Sequence, residues 1–119
     1  MKYMLMLRYE KDAGPAEGTP EFDAEMQQWG ELSQQLQESG VFLAALGLDS
    51  EDTATTLRVR DGDTVLSDGP FAETKELFFS YYLLDVPDLD AAIEWAARMP
   101  NAAYGSVEIR PLSPHSQAA

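Results

Sequence analysis

The chain has 119 residues, a length that favours one domain, and its 45% hydrophobic and 10% aromatic content is enough to build a core. Eight Lys and Arg against 21 Asp and Glu leave a net charge of −13, a surface that repels phosphate backbones and anionic lipid and argues against nucleic-acid or membrane partners. Cysteine is absent, which excludes disulfides, thiolate nucleophiles and thiolate metal sites and suits a reducing cytoplasm.

"KYMLMLRY" reads as a strand with Tyr3, Leu5 and Leu7 on one face and Met4, Met6 and Arg8 on the other. Arg8 interrupts this apolar run too early for a signal peptide, and no segment is long enough to span a bilayer, so a soluble cytoplasmic protein is expected. After a Gly/Pro loop, Thr19-Pro20 signals a helix start, a hydroxyl N-cap followed by proline in the first turn. Phe22, Met26, Trp29, Leu32 (or Ser33) and Leu36 form its inward stripe, and Gly40 supplies a left-handed stop.

"VFLAALGL" is the second predicted strand and "DSEDTA" a loop. "TTLRVR" alternates, with Leu57 and Val59 on one face; "DGD" is a hairpin turn and "TVLS" the return strand. "LFFSYYLLDV" is apolar on both faces, as expected of a central strand covered twice. The pattern places Met4, Met6, Phe78, Tyr82 and Leu84 opposite Tyr3, Leu5, Phe79, Tyr81 and Leu83. Asp88 caps a second helix whose stripe reads Leu89, Ala92, Ile93 and Ala96, closed near Pro100-Asn101. "GSVEIRPL" is the last strand; residues 1–112 form the domain and 113–119 a frayed tail.

Without the hairpin, the order is β-α-β-β-α-β, the ferredoxin-like arrangement of the α+β class. Two helices cover one face of such a sheet, and the apolar second face calls for a sheet-to-sheet homodimer, with a ligand cleft between the sheets. The competing arrangement is a thick monomer core with loops over part of each strand.

Neither a metal-ligand set nor a phosphate-cradling loop is recognisable, so no cofactor is expected. The single histidine, His115, lies in the tail, and no Gly-x-Ser-x-Gly nucleophile occurs. "SDGPFAETKE" is the segment in which chemistry could reside. Asp68 is either an Asx cap of its own turn or a carboxylate held by Gly69 and Pro70 for acid/base work. Phe71 is a loop anchor or a stacking platform. Glu73 and Lys75 pair with each other or with Arg58, Arg60 or Arg110. A ligand cleft near Asp68 would be bordered by Phe71, Phe78, Tyr82, Trp29 and Arg58.

"DGPFAETKE", preceded by "TTLRVRDGDTVLS" and followed by "YYLLDVPDLDAAIEWAARMP" and "VEIRP", resembles the DGPF family of YCII-related proteins over nearly the whole chain. The resemblance implies a dimeric α+β barrel built from ferredoxin-like units. It also implies either a small cleft enzyme, akin to muconolactone isomerase-like relatives, or an accessory to sigma-factor-linked transcription. Two departures limit the transfer. YCII proteins proper pair a helix-borne histidine with an aspartate, and "PEFDAEMQQWGELSQQLQES" has no histidine. Where members commonly carry Gly-Gly, this chain has Phe78 and Phe79, which could fill the cleft. The alternative to a ligand-binding or acid/base protein is a dimeric interaction module whose acidic surface docks a basic partner.

Overall fold

Alternation along the first strand, β1 (Lys2–Glu10), organises the molecule: Tyr3, Leu5 and Leu7 are buried, while Met4, Met6 and Arg8 are only partly covered. In the computed structural model, which describes residues 1–69 and 75–116, β1 is followed by α1 (Pro20–Ser39), β2 (Phe42–Gly47), β3 (Thr55–Arg60) and β4 (Asp63–Asp68). Then come β5 (Glu76–Asp85), α2 (Leu89–Ala97) and β6 (Gly105–Pro111), with short 3-10 turns at Glu51–Thr53 and Pro100–Ala103. The main sheet has the order β2-β5-β1-β6 with every pair antiparallel, and β3 and β4 form a separate two-stranded sheet. This is the ferredoxin-like α+β arrangement with an added hairpin. No helix among the described residues is long and apolar enough to cross a membrane.

The helix starts and stops follow their capping chemistry. Thr19 Oγ1 accepts from the Phe22 N–H at 3.2 Å, and Gly40, at φ 79°, donates its N–H to the Gln37 carbonyl. Asp88 caps α2 by accepting from the Ala91 N–H at 2.9 Å. Leu32 and Leu36 of α1 meet Ala92 and Ala96 of α2 over Tyr3, Leu5, Leu7 and Leu84 in one core. The inward stripe of α2 is half the expected one: Ala92 and Ala96 are buried, joined by Met99 just beyond the helix, whereas Leu89 and Ile93 are close to half exposed. The two alanines let the helix backbone lie close to the strands, which turns the larger aliphatic residues outward.

Strand β5 is central, as expected, but among the described residues covered on one face only. Its pairing with β1 contains a bulge: Leu7 opposes Ser80 and Arg8 opposes Phe78, so Phe79 is an extra residue. Opposed residues share a face. Tyr82 and Leu84, opposite Leu5 and Tyr3, therefore join the helix-covered face, while Tyr81 and Leu83, opposite Met6 and Met4, point away. Tyr82 and Leu84 thus lie on the face opposite to the one the alternation predicts, because the bulge shifts the parity of β5. Phe78 and Phe79 occupy their expected faces.

Both helices cover one side, so the opposite side of the sheet stays open, carrying Met4, Met6, Phe78, Tyr81, Leu83 and Leu46. The molecule is a slab of 49 × 42 × 18 Å, and its radius of gyration of 16.4 Å exceeds the roughly 13.5 Å of a compact chain this long. Among the described residues no loop layer thickens the core on that side. The projecting hairpin accounts for the difference; among the described residues its extensive packing is strand against strand.

At the other edge, Asn101 is fully buried, and its Nδ2 donates to the carbonyls of Arg8 (2.9 Å) and Ser106 (3.0 Å), tying the Pro100–Ala103 turn to β1 and β6. Its Oδ1 has no partner among the described residues. Gly105, paired with Tyr9, approaches β1 so closely that a Cβ there would overlap the Arg8 carbonyl oxygen and stand 2.6 Å from Tyr9 Cα. Both obstacles are backbone and cannot swing away. Gly105→Ala is expected to destabilise the fold by about 2–3 kcal/mol, read as a lowered midpoint in urea; an unchanged midpoint would show that β6 can shift freely against β1.

Candidate functional site

Trp29 on α1 and Tyr82 on β5 stack with ring centroids 6.4 Å apart and planes 15° from parallel. The helical stripe that carries Leu32 and Leu36 into the core brings Trp29 and, three residues earlier, Met26 to its margin. Together with the buried Leu7, these side chains line an open cleft of about 320 Å³ between α1 and the β2–β5 edge. Gly47, Leu48, Phe79 and Ser80 complete the rim. That rim is held by the sheet: the Leu48 N–H donates to the Phe79 carbonyl at 2.8 Å, and the Ser80 hydroxyl to the Leu46 carbonyl at 3.0 Å. Tyr9 meets Phe79 edge to face at 5.2 Å and props it from behind.

The cleft is predominantly apolar. Burial raises the pKa of Tyr82, so its phenol stays neutral and serves as a hydrogen-bonding group rather than an anion. Among the described residues no group of three or more histidines and carboxylates could hold a metal ion. The chemistry on offer is stacking, apolar contact and one phenolic hydroxyl.

The expected site residues are therefore only partly brought together. Trp29 and Tyr82 meet, as the cleft reading requires. Phe78 lies on the opposite face of the sheet, beneath the Arg8 guanidinium at 5.5 Å from its ring, and does not border the cleft. The parity shift at Phe79 separates it from Tyr82. Arg58 sits on the hairpin opposite Val65, and Lys75 is exposed immediately before β5. Asp68 ends β4 opposite Thr55, exposed, and lines neither this cleft nor the polar hollow of Tyr9, Lys11 and Glu51 nearby. Bonds to Gly69 close its corner: the Gly69 N–H donates to the Ala54 carbonyl at 2.8 Å, and the Thr56 hydroxyl to the Gly69 carbonyl at 2.9 Å. Phe71 and Glu73 lie outside the described residues. This cleft sits between helix and sheet of one chain and is a different place from the cleft expected between the sheets of a homodimer. Leu7, Met26, Leu48 and Phe79 were not singled out as lining residues, although the spacing of Met26 and Trp29 on one helical stripe carries part of that signal.

The YCII-related domain profile matches residues 1–116. The chain belongs to the YCII-related family. An uncharacterised protein of Rhizobium meliloti (strain 1021) is 33% identical to it over 115 residues, covering 95% of this chain and 93% of the relative. This YCII-related chain thus shares its whole domain with that protein.

One polar contact outside the cleft was also missed. The Tyr104 hydroxyl donates to the Glu25 carboxylate, 2.7 and 2.8 Å from its two oxygens, joining α1 to the segment before β6. Its ring lies against Gly14, where a Cβ would come within 2.8 Å of it at φ 86°. Burial first, then the hydrogen bond and charge of Glu25, push the Tyr104 phenol far above its ordinary 10.0. A raised folded-state pKa contributes stability that is fully present below the unfolded value and is lost as pH climbs above it. Wild-type stability should therefore fall above about pH 10, with Tyr104→Phe showing a shallower alkaline decline. The same variant should lose about 1–2 kcal/mol at neutral pH. Urea melts from pH 7 to 11 check both; parallel wild-type and variant pH curves would remove Tyr104 from the linkage.

Proposed function

We propose that this YCII-related chain is a small-molecule-binding protein that takes a planar, mostly apolar and uncharged ligand into the cleft of Trp29 and Tyr82. The stacked pair over the Leu7 floor carries this reading: it offers aromatic faces beside a single neutral hydroxyl. A volume of about 320 Å³ lies at the small end of ligand sites. The net charge of −13 disfavours anionic ligands. An acid/base role for Asp68 is not part of this reading, since its carboxylate stands outside the cleft lining. The sequence "DGPFAETKE" supports placement in the DGPF subgroup, and the absence of cysteine fits a cytoplasmic setting.

A homodimer through the open sheet face is the second element of the proposal, favoured by the apolar row Met4, Met6, Tyr81 and Leu83, half-buried and with no layer over it among the described residues. The helix layer would then be the outer surface of the dimer. Its α1 carries Glu21, Asp23, Glu25, Glu31 and Glu38 without a single Lys or Arg, which supports docking of a basic partner.

Titration with prodan, a neutral naphthalene dye that brightens in apolar surroundings, tests the cleft. Saturable binding to the wild type is expected, weakened about tenfold or more in Trp29→Ala with circular dichroism unchanged. Equal affinity in wild type and Trp29→Ala would rule out the cleft as the ligand site.

A further inference from the structure

The hairpin β3–β4 raises a problem of stability. Opposed residues share a face, so Leu57, Val59 and Leu66 form one apolar surface with Thr55 and Thr64, bordered by Asp68 opposite Thr55, while Thr56, Arg58, Val65 and Ser67 look the other way. Leu57, Val59 and Leu66 are 59%, 57% and 62% exposed. Two strands without a covering layer are marginal in water, and among the described residues the body of this molecule does not supply that layer. A projecting hairpin with one greasy face needs an occupant for that face.

Charge selects the occupant. Any second copy also carries a net charge of −13, so two copies can meet only where carboxylates are sparse. From Lys2 to Arg8 the open sheet face bears Lys2, Arg8 and Arg110 against Glu108 and Asp85, with Arg8 and Glu108 already paired at 2.8 Å. The hairpin face is uncharged around Leu57, Val59, Thr64 and Leu66 and carries one carboxylate, Asp68, at the end beside Thr55. A basic protein would be drawn to the acidic helices instead, and an anionic membrane would be repelled. Among the described residues, the two apolar surfaces that lack cover have centres free of unpaired carboxylates, with Asp68 at one end of the hairpin face and Glu10 and Glu76 beyond Arg8 on the sheet, and each chain has one of each.

We propose that the β3–β4 hairpin is an exchanged arm: the face of Leu57, Val59 and Leu66 closes over the open sheet face, around Met4, Met6 and Phe78, of a second copy of the chain. This rests on the homodimer reading and adds its mode. Two-fold symmetry makes the contact reciprocal, each chain lending an arm and receiving one. Stable interfaces occupy about 800 Å² per partner, about a tenth of the 8126 Å² exposed here, and the broad face of a 49 × 42 Å slab provides that area. The arm then gains the layer it lacks, and the sheet gains a cover on its second face.

The absence of native cysteine makes the test clean. Light scattering first gives the mass of the wild type. Single-cysteine proteins Val59→Cys, Met4→Cys, Met6→Cys and Phe78→Cys are then mixed in pairs and treated with a short bismaleimide. A dimeric wild type is expected, with Val59→Cys linking to at least one of the three sheet-face cysteines and not to cysteine at exposed Glu38 on α1. Leu57→Ser/Leu66→Ser should raise the dimer dissociation constant by about tenfold or more, with far-ultraviolet dichroism reporting that the body stays folded. A monomeric wild type overturns the arm and the homodimer together. A dimer in which Val59→Cys links to no sheet-face position, or only to another Val59→Cys, overturns the arm and leaves the homodimer standing.

Discussion

The structure depends on one constraint: the sheet has two sides and the chain has helices for only one. Tyr3, Leu5 and Leu7 on β1 make that side the core, and Leu32, Leu36, Ala92 and Ala96 descend on it from the two helices. Burial of these side chains is the principal stabilising contribution, on the order of 1.5–3 kcal/mol for each large one. Everything else follows from which residues fall on that side and which do not. The cleft lies at the margin of the helix layer, where α1 does not reach the end of β2. The open face is the consequence of there being no third layer.

The extra residue at Phe79 decides how β5 divides between these surfaces. Were pairing with β1 uninterrupted, Phe78 would share a face with Tyr82. With the bulge, Phe79 turns to the helix side, where Tyr9 supports it, and Phe78 goes beneath Arg8 on the open side. Two large aromatic residues in a row therefore fill neither surface. Phe79 becomes one wall of the cleft, and the space against Trp29 stays open.

Much of this order was legible in the sequence because it is written in local chemistry. Thr19-Pro20, Gly40 and Asp88 mark helix ends through their own backbone needs, and the alternation of "TTLRVR" shows its strand without reference to neighbours. The ferredoxin-like order follows from those boundaries. Faces were less legible where they depend on pairing. The parity of Tyr82 and Leu84 is set by a bulge that exists only between β5 and β1, and the inward side of α2 is set by how closely Ala92 and Ala96 let it approach. Site residues suffered most. Trp29 falls on the inward stripe of α1 and could be found there, whereas Tyr82 was expected on the face of Met4 and Met6 and reaches Trp29 only through the bulge. Phe78 and Asp68 were grouped with them through sequence proximity to the motif, and within one chain they do not line this cleft. The hydrogen bond from Tyr104 to Glu25 spans 79 positions and leaves no local trace.

Register carries a further consequence for the site. Tyr81 and Tyr82 are adjacent, identical side chains on opposite sides of one strand, and a slip of one residue in β5 would exchange them. The cleft would then keep a tyrosine and the core a leucine, since Leu83 would take the place of Leu84, but buried Val86 would give way to Asp85. Burying that carboxylate makes the slip costly even though the site residues alone would barely resist it. The bulge adds a second pin, since its unpaired residue fits the ladder at one place only. The position of Tyr82 against Trp29 is thus fixed by residues that never touch the cleft, so the aromatic pair can remain open on one side without losing its alignment.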